Sequence, residues 1–169
     1  MLTKKSFFVF AALMVLSFLG VPAANAAPKC YTLESLEGSY AGIGHYGANV
    51  AIGLSTRHFD GNGNLTGAFI VNEPTAGSMT GGRTIVPGTQ MGTYTVNCDG
   101  TGVFTRIVTV NGVATNQLDD FIITGAIVKD GHLVATAIVD AQRTPSVIVA
   151  GGIFLTRSFT RLPDTDSQE

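Results

Sequence analysis

The chain has 169 residues, 45% of them apolar and 13% charged, with 21 glycines, no tryptophan and a net charge of −2. That length suits one domain with a real core. Acids outnumber bases, and Arg57, Arg83, Arg106, Arg143, Arg157 and Arg161 are scattered through separate segments, which argues against a nucleic-acid partner, since phosphate binding relies on clustered Lys and Arg.

The chain opens with two lysines within Met1 to Lys5, an almost unbroken apolar run from Ser6 to Gly20, and Ala24-Asn25-Ala26. These are the three parts of a secretory signal peptide over 1–26, cleaved after Ala26. The run is shorter than the ~20 residues that span a bilayer, and no later stretch is both that long and free of charge, so no membrane span is expected. Lys29 beside Cys30 argues against a lipobox. The product is expected to be exported, periplasmic or secreted. Losing Lys4 and Lys5 leaves eight basic against twelve acidic residues, a net charge of about −4.

Two cysteines remain, Cys30 and Cys98. In an oxidising compartment a disulfide between them is the default reading, and its loop closure would stabilise by roughly 4 kcal/mol; two free thiols are the alternative. Neither has CxxC spacing or a neighbouring histidine, so a metal site is not indicated.

Beyond a helical turn expected over Thr32 to Leu36, with Thr32 as cap, the chain reads as strands. Runs rich in Thr, Val and Ile alternate apolar with small or polar residues between turn dipeptides. They span Ser39 to Tyr46, Asn49 to Phe59, Leu65 to Asn72, Gly92 to Cys98, Gly102 to Val110, Leu118 to Lys129, His132 to Asp140 and Val147 to Arg161. Asn72 to Met91, rich in Gly, Thr and Pro, is expected to be a long hairpin loop or a lid. The tail, 163–169, is polar and expected to be disordered.

The stretch Phe59-Asp60-Gly61-Asn62-Gly63-Asn64 alternates oxygen-bearing side chains as a calcium loop does. An EF-hand loop needs flanking helices and a Glu twelve residues in, whereas the twelfth residue from Asp60 is Val71 and the flanks are strands. Asp-Gly recurs at Asp99-Gly100 and Asp130-Gly131, and Asn111-Gly112 follows the same pattern. Each pair supplies the positive φ of a hairpin turn.

Consecutive hairpins make an antiparallel meander, and about eight strands suit an all-β fold closing into a small β-barrel over 27–162. Both faces of the late strands are apolar, with Phe121, Ile123 and Ile127 against Ile122, Ala126 and Val128. That leads us to expect a homo-oligomer or loops covering the outside. The stretches Leu36-Glu37-Gly38-Ser39-Tyr40, Phe59 to Asn64 and Gly92 to Gly102 together resemble a group of small exported bacterial proteins without assigned function, similar in outline to lipocalin-like and allene-oxide-cyclase-like barrels. The resemblance spans nearly the whole mature domain and implies the barrel. Barrels of these classes bind apolar small molecules or shape a reactive substrate in an apolar cavity. No catalytic residue carries over.

Candidates for a ligand-binding interior are Tyr40, Tyr46 and Tyr94 as aromatic walls and Arg57 and Arg106 as cations; the acidic candidates are Asp140, Glu73 in a loop, and the adjacent pair Asp119 and Asp120. Neighbours on a strand point to opposite faces, so only one of the two enters; Asp120 is assigned to the ligand set. A structural ion pair, solvent exposure and ordinary aromatic packing are the competing readings. His45 and His58 fall at far ends of one expected hairpin, and no catalytic, cofactor or nucleotide motif is present. Three functions remain open: a barrel binding a small apolar or amphipathic molecule, a filled barrel acting through its outer face, and a cyclase or isomerase.

Overall fold

The computed structural model describes residues 30–47, 50–149 and 152–164; the expected leader over 1–26 and the end of the tail, 165–169, lie outside the described residues. Eight strands follow one another in chain order: β1 Gly38–His45, β2 Ile52–Phe59, β3 Asn64–Pro74, β4 Arg83–Val96, β5 Thr101–Val110, β6 Val113–Lys129, β7 His132–Gln142 and β8 Thr156–Arg161. Each is antiparallel to the next, and β8 pairs back onto β1 from Tyr40↔Arg161 to His45↔Thr156. The chain is therefore an all-β, closed eight-stranded barrel, and closure leaves no unpaired sheet edge.

Alternation fixes what faces inward. Tyr40, Gly42 and Gly44 of β1, Arg57 and Phe59 of β2, and Gly102, Phe104, Arg106 and Val108 of β5 are buried between neighbours that are exposed or half-buried. Two inward glycines permit close approach of adjacent strands: a Cβ on Gly92 would lie 2.0 Å from the Thr105 carbonyl oxygen, and one on Gly102 2.1 Å from that of Thr95. Glycines at such bends let a small barrel curve.

The three Asp-Gly turns lie at one end, called here the lower end. Asp60 organises the β2–β3 turn, its Oδ1 accepting the Asn62 and Asn64 backbone N–H groups at 2.8 and 2.9 Å and its Oδ2 the Asn64 side-chain amide at 2.6 Å. The FDGNGNLTG stretch is thus a hairpin turn tied down by its own aspartate. A short 3-10 turn, Leu33–Leu36, plugs this end, with Ser35 Oγ accepting the Thr32 N–H at 3.1 Å. Above the plug lies an aromatic core of Tyr40, Phe59, Tyr94, Phe104, Phe121 and Phe159 with Leu36, Leu65 and Ile138. Phe59 meets Tyr40 and Tyr94 edge-on at centroid distances of 5.4 and 5.1 Å, and Phe104 stacks on Phe121 at 4.2 Å. Each fully buried ring of this kind contributes roughly 1.5–3 kcal/mol. Cys30 and Cys98 form a disulfide, and Tyr31 N–H donates to the Cys98 carbonyl at 3.1 Å, tying the segment before the plug to the β4–β5 turn.

Three elements differ from the sequence expectation. Residues 72–91 are mostly ladder, because β3 and β4 stay paired as far as Pro74↔Arg83. Thr84, Ile85 and Val86 are β-branched, and Pro87 lies one residue outside the β4–β5 pairing that begins at Gly88↔Val110, so its missing N–H interrupts no bond on that side. Arg83 locks the extension by donating to the Asn72 side chain and carbonyl at 2.8 and 2.9 Å. The last strand begins only at Thr156; before it, residues 143–149 and 152–155 lie across the upper end, held by Arg143 N–H to Leu118 O, Ser146 N–H to Ile153 O and Gln142 N–H to Leu155 O. Pro145 has no donor for a ladder and Gly152 sits at φ 68°, which ends the extended run. Finally, register shifts around Gly125 reverse the parity of β6, so that Ile127 faces outward and is 54% exposed instead of sharing a face with Phe121 and Ile123.

On the outside, Ile43, Leu54, Ile70 and Pro87 are register partners across β1 to β4. They form an exposed apolar row. No helix among the described residues is long and apolar enough to cross a membrane.

Candidate functional site

Immediately above the aromatic core the interior becomes ionic. Arg57 of β2, Arg106 of β5, Arg157 of β8, Asp119 of β6 and Asp140 of β7 all project inward and are buried. Asp119 accepts from Arg106 Nε and Nη2 at 2.5 and 2.8 Å and from Arg157 Nη2 at 2.5 Å. Asp140 accepts from Arg157 Nε at 2.7 Å and from Arg57 Nη1 at 2.9 Å. Gln90 Oε1 bridges the two remaining edges, accepting from Arg106 Nη1 at 2.9 Å and Arg57 Nε at 3.2 Å. Buried charge is tolerated only when paired and hydrogen-bonded, and this layer meets that condition for both carboxylates.

The balance is unequal, with three guanidinium groups against two carboxylates. Arg57 carries the strain of the inequality: burial, and then the charge of Arg157, pull its pKa from 12.5 to about 9. Its Nη2 is buried without a hydrogen-bond partner, while its guanidinium carbon lies 4.3 Å from the Phe159 ring centroid and 4.8 Å from that of Phe104. Aromatic faces recover part of the lost hydration. Burial pushes the Asp119 carboxyl up, but Arg157 and Arg106 outweigh it and hold the group below the ordinary carboxylate range.

Above this layer lies a cavity of about 40 Å³, within some 460 Å³ of space that is partly open to solvent. Arg106, Arg157, Gln90, Gln117 and Gln142 form its polar floor and flank, and Tyr46, Phe69, Val71, Val108 and Leu155 its apolar walls. Ser146, Val147 and Ile148 of the 143–149 crossing roof it. Gln117 fastens the roof by donating to the Pro145 carbonyl at 3.3 Å while accepting from Gln142 Nε2 at 2.8 Å. Burial raises the pKa of the Tyr46 hydroxyl, partly offset by its bond to Ser146, so it stays protonated at neutral pH.

The sequence candidates are divided by this arrangement. Arg106 and Tyr46 line the cavity, and Arg57 lies one layer beneath it. Tyr40 and Tyr94 are in the aromatic core at the other end, their hydroxyls donating to the Ala135 and Leu33 carbonyls at 2.9 and 3.0 Å. Asp120 is outside the barrel: its side chain is 52% exposed and pairs with Arg143 at 2.5 Å, because the inward parity of β6 belongs to Gln117, Asp119 and Phe121. The interior acid of that pair is therefore Asp119. Asp140, an acidic candidate from the sequence, lies in the layer, and Arg157 and the three glutamines complete it and its flank without having been singled out. His45 and His58 pair with Ile52 and Ser39 at opposite ends of the β1–β2 ladder, and among the described residues no group of three metal-ligating side chains comes together. A second hollow, at the lower end, holds His58, His132, Glu37 and Asp130 around Arg161 and is open to solvent.

No family model, curated protein or solved structure matches this chain.

Proposed function

We propose that the chain is an exported binding barrel that holds a small amphipathic molecule in the upper cavity. The observation that carries this reading is the uneven filling of the interior. Below the ionic layer the barrel interior is filled by aromatic rings, whereas above it about 40 Å³ is left between apolar walls and a polar floor, room for a very small molecule with the kind of lining that small-molecule sites share. An apolar body would lie against Tyr46, Phe69, Val71, Val108 and Leu155, and a polar end would face Arg106, Arg157 and Gln90. The Cys30–Cys98 disulfide supports an oxidising compartment. Both oxygens of Asp119 and of Asp140 are occupied by guanidinium donors, so neither acid is placed to exchange a proton with a bound molecule, which favours binding over turnover.

Native mass spectrometry of the protein purified from its own exported fraction tests the proposal. A discrete added mass that disappears on denaturation is the expected result. A bare protein that also takes up no molecule from an extract of lipids and small metabolites would overturn it.

A further inference from the structure

The cavity floor can be counted atom by atom, and the count comes out one-sided. Each carboxylate and glutamine oxygen of the floor already accepts from a protein donor, while the hydroxyls of Ser55, Tyr46 and Ser146, which also line the cavity, can donate as well as accept. Asp119 and Asp140 are taken by the three arginines, Gln90 Oε1 by Arg57 and Arg106, Gln117 Oε1 by Gln142, and Gln142 Oε1 by the Leu155 N–H at 3.0 Å. Donors remain. Arg157 lines the cavity, and its Nη1, alone among its three side-chain nitrogens, donates to no described residue. Gln90 also lines it, and its Nε2 has no described acceptor. Beneath them Arg57 Nη2 is fully buried and unpartnered. The layer also carries one more positive than negative charge, inside a barrel where water screens it poorly.

A neutral carbonyl could accept from both free donors, as Gln90 Oε1 does from two arginines, but would leave the charge. A second cation would be repelled by three guanidinium groups. A group that brings only acceptors and one negative charge answers both requirements, and a planar carboxylate matches a guanidinium edge in shape. We infer that the molecule held in the upper cavity is a small monocarboxylic acid bound in its ionised form, its carboxylate on Arg157 Nη1 and Gln90 Nε2 and its carbon body between the apolar walls. The inference rests on the reading of that cavity as a binding site, and adds the charge and head group of what binds.

Matched probes separate the two. Butanoate, hexanoate and octanoate, with the corresponding 1-alcohols and alkylamines, are titrated calorimetrically into the folded, disulfide-bonded protein near neutral pH. The acid of the best-fitting length is expected to bind about tenfold or more tighter than its alcohol, the amine not at all, and binding to be independent of the ionisation enthalpy of the buffer because no proton is taken up. An alcohol that binds as tightly as its acid, or uptake of one proton with the acid, overturns the charged head group and leaves the binding barrel standing. Failure of every probe in the series overturns the binding barrel and this inference together. Arg57→Met supplies a second arm, because Arg57 does not line the cavity yet supplies the excess charge: the variant is expected to weaken the acid about tenfold while leaving the alcohol unchanged. Unchanged acid affinity in a folded Arg57→Met protein would overturn the charge-balance argument.

Discussion

Replacing Arg57 by methionine should make the protein more stable, even though the side chain is fully buried and makes two hydrogen bonds. Its pKa falls from 12.5 to about 9 inside the barrel. At ~1.4 kcal/mol per pKa unit, keeping it charged at neutral pH costs on the order of 5 kcal/mol relative to the unfolded chain. Methionine keeps an unbranched stem between Phe104 and Phe159 and brings no donor. Neither acceptor is stranded, since Asp140 retains Arg157 on both oxygens and Gln90 Oε1 retains Arg106. After the lost packing and hydrogen bonds are subtracted, a gain of about 1–3 kcal/mol is expected, in line with buried ions replaced by apolar residues. Asp119→Asn moves the balance the other way, leaving three guanidinium groups with one carboxylate, and should cost about 3–5 kcal/mol. Urea unfolding of both variants with the disulfide intact gives the two free energies directly. If both variants lost stability by similar amounts, excess positive charge could not be the quantity that sets the energy of this layer.

Acid should act through Asp119. Its folded pKa lies below the unfolded value of 3.8, so its contribution is complete above that value and is lost as pH falls through the lower folded pKa; a urea midpoint that held constant down to pH 2 would contradict this. Reducing the Cys30–Cys98 bond, which closes a separation of 68 residues, should lower stability by about 4 kcal/mol on the loop-entropy account, read as the difference in unfolding free energy with and without a phosphine reductant. Gly92→Ala should cost about 3 kcal/mol or more, because the new methyl meets a backbone carbonyl and not a side chain that can turn away; normal expression with an unchanged melting temperature would show that β4 and β5 can separate there. Asp120→Asn, outside the barrel, should leave both the urea midpoint and hexanoate binding unchanged.

The barrel was legible because its turns are written in local chemistry. Asp60-Gly61, Asp99-Gly100, Asp130-Gly131 and Asn111-Gly112 each fix a hairpin, and period-2 alternation does the rest. The crossing was hidden because the sequence from Val147 to Leu155 is as apolar as a strand; Val149 and Leu155 pack against the barrel mouth, and only Pro145 hints that the chain leaves the sheet. Gly125 hid the bulge for a related reason, since a single glycine in a strand gives no direction for the slip. The ionic layer carried a signal that single residues do not show. Arg57 stands two residues before Phe59, Arg106 two after Phe104, Asp119 two before Phe121, Asp140 two after Ile138 and Arg157 two before Phe159. A charge sharing parity with a large inward apolar residue on five strands places five charges inside one barrel, but Asp120 stands in the same relation to Leu118 and Ile122, so the choice of Asp119 over it depends on which parity of β6 turns inward. The cavity itself had no such mark, because it depends on how far the roof stands from the floor.

The placement of both chain ends has a mechanical consequence. β1 begins and β8 ends at the lower end, and these two strands are hydrogen-bonded neighbours running in opposite directions. Tension applied between Gly38 and Arg161 would load that seam one rung at a time, so the barrel would peel open at low force from its plugged end. The disulfide changes the route of the load. A pull delivered ahead of Cys30 passes through Cys98 into the β4–β5 turn, on the far side of the barrel from β8, and the seam between first and last strands is spared the direct peeling geometry. A crosslink of this kind sets the direction in which the folded protein resists being drawn apart, and its reduction would turn a mechanically braced cylinder into one with a tear line.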